Sequence, residues 1–279
     1  MIRQYYSIRT GKEFDSIELD FVELTKLILS LYQRFRGDGY FAKAFGQHCV
    51  DESEPTIGTM GSDIGLFFLQ RLRKRELWPI EEKIDEYSEH DLFSVIELLY
   101  DYISKPEYKR YHSWNNCGDH YGEFNADAGR SEFRSAINEA LRDYTKKCEL
   151  SSNGEILEIP DSGLEDLLRE PLPALEPENV DKKVEAAIVK FHRYDASPED
   201  RKEAVRILAD VLEYLRPDAR KLLSSADESD LFNIANNYAI RHHNTSQKSK
   251  YDKDTWLPWI FYLYLATIHL LVKILARGK

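Results

Sequence analysis

Residues 232–247 (FNIANNYAIRHHNTSQ) hold the side chains best suited to chemistry in this chain. Arg241, His242, His243 and Asn244 stand at the end of one predicted helix, just before the apolar run from Trp256 to Leu275. A cation, two imidazoles and an amide at a helix end can serve phosphate chemistry. RNA cleavage without a metal needs a base for the 2′-OH proton and an acid for the 5′-oxygen leaving group. It also needs a fixed cation for the charge that grows on the phosphorus oxygens. Histidine suits the proton transfers because it titrates near neutrality. Arginine suits the phosphate because its planar fork is permanently charged. On residue types alone a plainer reading is favoured, in which cations complement the dipole at a helix C-terminus. Adjacent residues on a helix point about 100° apart, so only one of His242 and His243 faces any one site.

The elements that must position this cluster are predicted to be mainly α-helical. Apolar residues recur at helical spacing over 18–36, 62–76, 90–104 and 130–147. The stretch 105–128 between the last two is rich in aromatic residues and predicts a loop. The segment 149–159 predicts a small hairpin turning at Asn153-Gly154. Residues 161–180 are proline-rich and predict a linker between domains 1–160 and 181–279. The second domain predicts four helices. The first spans 184–194, and the second starts at Ser197-Pro198 and stops at Pro217. The third starts at a capping box opening on Ser225 and runs to about Arg241. The fourth runs from near Asp254 to the end. Short links between such helices favour an antiparallel bundle.

Charge separates the two parts. The net charge is −11, yet residues from Asp181 onward carry 17 Lys and Arg against 14 Asp and Glu. The first 180 residues carry the other 21 against 35, so long-range attraction to nucleic acid belongs to the C-terminal part. Three cysteines at irregular spacing argue for a reducing compartment, and the N-terminal stretch has no apolar core of signal-peptide type. Both point to the cytoplasm.

The C-terminal third resembles the HEPN superfamily of four-helix domains, particularly the version at the end of AbiJ-like abortive-infection proteins. The residues that carry the resemblance are LFNIANNYAIRHHN, Gln247, YDKDTWLPWIF and the tyrosine-rich last helix. Much of residues 1–160 is similar to the N-terminal domain of such proteins through RFRGDGYFAKAFG, GSDIGLFFLQRLRKRELWPI and the EFRSAINEALRDY and CELSSNGEI stretches. The resemblance implies an RNA-cleaving effector of antiphage defence that needs no metal and no cofactor. It would leave a 2′,3′-cyclic phosphate and pair as a homodimer through the C-terminal domain. A phage-derived trigger or a regulatory protein would be its further partner. The family motif is an Arg followed after four to six residues by a His, near the junction of the third and fourth helices. Arg241 carries over by position. The His does not, because Ser246, Gln247 and Lys248 occupy the places where it should fall. His242 or His243 then substitutes, with Asn244 orienting and Gln247, Lys248 and Lys250 binding substrate. The alternative is a non-catalytic module of the same fold that binds RNA or a protein.

Other constellations are weaker. His112, Cys117 and His120, with His48 beside Cys49 elsewhere, are residue types a zinc site could use, but their spacing matches no strong pattern. An ordinary loop without metal is the expectation there. Gly58 and Gly61 could cradle a phosphate ahead of a helix, but a plain turn with a helix cap is favoured. Arg71, Arg73, Lys74 and Arg75 form a solvated face. The run Trp256–Val272 just reaches the length of a membrane span. Its Tyr262, Tyr264, Thr267 and His269 favour a buried bundle helix instead.

Overall fold

The computed structural model describes residues 18–52, 54–159, 164–173, 177–238, 240 and 251–277. The chain divides into two compact units, Met1–Ile156 and Leu157–Lys279. The division falls a few residues before the predicted linker. Both units are mainly helical, with only small two-stranded sheets.

The first unit is built on α1 (Phe21–Gly37), α2 (Ala42–Phe45), α3 (Ile64–Leu72), α4 (Ile80–Lys83), α5 (Glu89–Tyr102) and α6 (Ala126–Leu141). Helix α1 starts where its sequence provides a reciprocal cap. The Glu23 N–H donates to Asp20 Oδ1 at 2.8 Å and the Asp20 N–H to Glu23 Oε2 at 3.0 Å. Its Leu24, Ile28, Tyr32 and Phe35 are buried, as the helical spacing predicted. Helix α6 packs on both α1 and α5. Aromatic rings fill the space between them: Phe133 meets Phe35 edge-on at 5.3 Å, and Phe41 stacks on Phe45 at 5.3 Å.

Helix α3 is shorter than the predicted 62–76. Arg73 adopts a left-handed conformation (φ 56°) and its N–H closes the last turn on Leu69. Lys74 then reaches the buried Asp91 carboxylate at 2.6 Å, so one member of the expected solvated face is an ion-pair partner.

Residues 105–128 are not a loop. They form the antiparallel strands β3 (Lys105–His112) and β4 (Gly118–Asn125), which follow β1 (Gly46–Gln47) and β2 (Thr56–Ile57) in the chain. Neither long strand contains a Val, Ile or Thr, and Tyr and Phe supply the β preference instead. Asn125 ends β4 and at once caps α6, its Oδ1 accepting from the Ala128 N–H at 3.0 Å. The expected hairpin at Asn153-Gly154 is present as β5 (Cys148–Leu150) and β6 (Ile156–Glu158).

The second unit carries α7 (Glu165–Arg169), a π-turn at Pro177–Asp181, α8 (Lys182–His192), α9 (Pro198–Leu222), α10 (Ser225–Asn237) and α11 (Lys253–Arg277). Helix α9 contacts α8, α10 and α11 and is the centre of the bundle. Its Val205, Leu208, Leu212 and Leu215 share one core with Phe191 of α8 and with Ile260, Phe261, Leu265 and Ile268 of α11.

Two predicted boundaries are corrected. Helix α9 does not stop at Pro217 but continues to Leu222. Proline forfeits one backbone hydrogen bond there. Ala219 beyond it is fully buried, and Arg216 and Arg220 on either side both donate to Glu228 Oε1, at 2.6 and 3.2 Å. Helix α10 is capped by Ser224 rather than Ser225. The Ser224 hydroxyl accepts from the Asp227 N–H at 3.2 Å and donates to its carboxylate at 2.7 Å.

Candidate metal centre

The predicted catalytic residues Arg241, His242, His243 and Asn244, and the predicted substrate contacts Gln247, Lys248 and Lys250, lie outside the described residues. The ends of their segment are described. Tyr238 and Ile240 are buried at one end. At the other, Tyr251 meets Tyr238 edge-on at 5.2 Å, and the Tyr238 ring also lies 4.9 Å from that of Trp256. The described residues on either side of 241–250, at the end of α10 and the start of α11, therefore touch one another. Lys253 ties the start of α11 to the start of α9 through Glu199 at 2.9 Å.

Two histidines of the second unit have structural surroundings. His192 is buried with its Nε2 3.1 Å from the Tyr262 hydroxyl. Burial, with a smaller push from Arg201, lowers its pKa to about 4. His269 is also buried on α11, and desolvation lowers its pKa as well.

The side chains that do converge on a chemical site belong to the first unit. Strand alternation places His112 and His120 together. His120 pairs across the hairpin with Arg110, which shares a face with His112 two residues on, and the two imidazole centroids are 5.7 Å apart. At the turn, Asn115, Asn116 and Gly118, the first residue of β4, all take positive φ (48°, 55° and 94°). Asparagine and glycine tolerate that backbone region best. The tight curl brings Cys117 back towards His120, with Sγ 3.1 Å from Nε2.

The fourth donor arrives from far away in sequence. Gln47 lies on β1, and its side-chain amide accepts from the Tyr121 N–H and donates to the Tyr121 carbonyl, both at 2.7 Å. The amide thus pairs with β4 as a neighbouring strand would, and holds the following residues against the hairpin. Behind it, Gly46 and Gly58 touch backbone to backbone, so closely that a Cβ on either would overlap the other segment. Cys49 follows, with Sγ 3.6 Å from His112 Nδ1 and 4.0 Å from Cys117 Sγ. The four donor atoms of Cys49, His112, Cys117 and His120 all lie within 4.8 Å of one another.

The surroundings are polar. The Val50 N–H donates to Cys117 Sγ at 3.4 Å, and His112 Nε2 lies 3.3 Å from Asp51 Oδ2. The Asp51 backbone lowers the Cys49 pKa by hydrogen bonding. Burial, the Cys117 sulfur and the Asp51 carboxylate outweigh it and raise the thiol above its ordinary value. Cys49, Cys117 and Cys148 form no disulfide.

The expectation of an ordinary loop is therefore corrected: the stretch is a hairpin whose ligand-type side chains come together. Three of the four named residues converge. His48 does not, offering Cys117 only a backbone carbonyl at 4.0 Å, and its neighbour Cys49 takes the place. The signal present in the sequence was the pairing of His112 with Cys117 and of Cys117 with His120 across a turn. Nothing in the spacing pointed to Cys49.

The Gly58–Gly61 stretch is a turn with a helix cap, as favoured. The N–H groups of Thr59, Met60 and Gly61 are spent on Lys43, Ala44 and Gly58 carbonyls, and Asp63 caps α3 through the Leu66 N–H at 2.9 Å. No family model, no curated protein and no solved structure matches this chain.

Proposed function

We propose that the chain is a HEPN-type endoribonuclease of antiphage defence, acting in the cytoplasm. The observation that supports this reading is the position of Arg-His-His-Asn. In sequence it falls between the last two helices of the second unit, and the described residues flanking it, Tyr238, Tyr251 and Trp256, pack on one another. In this reading a ribose 2′-oxygen attacks the adjacent phosphorus and the bond to the 5′-oxygen breaks. His242 or His243 takes the 2′-OH proton, and a proton is returned to the departing 5′-oxygen. Arg241 neutralises the phosphorus oxygens, and Asn244, Gln247, Lys248 and Lys250 hold the RNA. The product carries a 2′,3′-cyclic phosphate.

The same reading places a second copy against the C-terminal unit. Helix α11 buries one side in the core and leaves Trp256, Trp259, Leu270 and Ile274 between 37% and 49% exposed on the other. Such a stripe suits a helical partner face, and its Trp256 end is the end of α11 nearer in sequence to Arg-His-His-Asn. By length and composition α11 is long and apolar enough to cross a membrane. Its fully buried Ile260, Phe261, Leu265 and Ile268 support the bundle reading instead. A phage product or a regulatory protein would supply the activating signal.

A second reading has its own support: Ser246, Gln247 and Lys248 stand where the family motif has its His. It makes the unit a non-catalytic module that binds RNA or a protein. Incubating the purified full chain with total RNA and tRNA, without magnesium, separates the two. The nuclease reading expects cyclic-phosphate ends that Arg241→Ala abolishes. Intact RNA with tight, salt-sensitive binding would replace it by the module.

A further inference from the structure

We propose that Cys49, His112, Cys117 and His120 bind one Zn²⁺ and that this ion fastens the β3–β4 hairpin to the segment around β1. Zn²⁺ prefers four tetrahedral ligands with Zn–S about 2.3 Å and Zn–N about 2.0 Å. A tetrahedron of those lengths has S···S edges of about 3.8 Å and S···N edges of about 3.5 Å. The S···S separation here is 4.0 Å, two of the S···N separations are 3.6 and 3.1 Å, and every donor pair lies within 4.8 Å, so the donors need close by no more than about an ångström to hold an ion. A pair of thiolates with a pair of imidazoles in this arrangement selects zinc over hard cations such as Mg²⁺ or Ca²⁺, which take oxygen ligands.

The outer groups fit independently. His112 offers Nδ1 to the cluster and turns Nε2 to Asp51 at 3.3 Å. That is the carboxylate–histidine pairing that fixes tautomer and ring orientation in metal sites. The Val50 N–H at 3.4 Å from Cys117 Sγ helps a thiolate carry its charge. The four protein donors fill a tetrahedron and leave no position open for water, so the site is structural rather than catalytic.

The hairpin needs such a fastening. Its outer half exposes Tyr108, Tyr111 and Trp114 and contains no aliphatic side chain, so apolar burial does not hold it down. A two-stranded ribbon is marginal by itself in water. The ion would join residues 63 positions apart, Cys49 and His112, beside the turn of the ribbon.

The test is metal analysis of the full chain, expressed in zinc-containing medium and purified under reducing conditions without chelators. One zinc per chain is expected, with a sulfur–nitrogen first shell by X-ray absorption. Cys117→Ser and His120→Asn should each lose the stoichiometric zinc, while His48→Asn, altering the histidine beside Cys49 in sequence, should keep it. Circular dichroism would show that the variants retain their helices. If a variant unfolds, the parent's metal content and first shell decide alone. Metal-free parent that takes up no added Zn²⁺ would overturn the proposal, as would full zinc retention by folded Cys117→Ser or an intact mass lacking two hydrogens from a Cys49–Cys117 disulfide. None of these readouts involves RNA, so failure here and failure of the nuclease reading are separate results.

Discussion

The two units use opposite means to define a structure. The C-terminal one has long helices around a continuous aliphatic and aromatic core, with the fully buried Val205, Leu208, Phe261 and Leu265 at its centre. The N-terminal one has short elements, reciprocal caps, a backbone-mimicking Gln47 and a four-donor cluster at the edge of a ribbon. In the first, each helix carries its own instruction as apolar periodicity. In the second, several decisive contacts join residues more than sixty positions apart, and the chain must be folded before they exist.

This contrast can be broken in order of size. The largest effect is expected from Phe261→Ala. That ring is fully buried and stacks on Phe191 at 4.0 Å, so truncation should cost the C-terminal unit about 3–5 kcal/mol. Urea unfolding followed by hydrogen exchange of α8 and α9 would show it. Zinc content should stay unchanged, and its loss would mean the two units are not held independently.

A smaller effect comes from acid. The His192 pKa is lowered to about 4 in the folded protein against about 6.5 in the unfolded chain. The unfolded state therefore binds more protons between those values. The contribution is fully present above pH 6.5, is lost as pH falls towards 4, and amounts to at most about 3 kcal/mol. Urea midpoints across that range should fall for the parent, and His192→Gln should flatten this part of the profile.

The smallest effect sharpens a boundary. Ser224→Ala should cost about 1 kcal/mol by removing the cap of α10, whereas Ser225→Ala should cost little. Equal costs would return the cap to the place the sequence suggested.

Legibility followed the same division. The helices around Leu24, Leu92, Phe133, Leu208 and Ile260 could be read because their apolar residues recur at helical spacing and are in fact buried. The small hairpin was legible from Asn153-Gly154. The β3–β4 ribbon was not, since Tyr, Lys and His alternate in it without β-branched residues to mark the strands. Pro217 misled because a local rule about helix ends ignored the burial of Ala219 and the two arginines gripping Glu228. The metal cluster was half legible: His112, Cys117 and His120 share one turn, but Cys49 arrives by way of Gln47 and the Gly46–Gly58 contact. The Arg-His-His-Asn residues lie outside the described ones, and α10 and α11, which precede and follow them in the chain, come in the order expected from sequence.

The most direct test of this two-part account is hydrogen exchange of the full chain before and after zinc is removed by a chelator. Protection should collapse in residues 46–51 and 105–125 and stay unchanged in α9 and in the buried turns of α11. Unchanged exchange in the hairpin would contradict the account, because the ribbon would then be held without the ion.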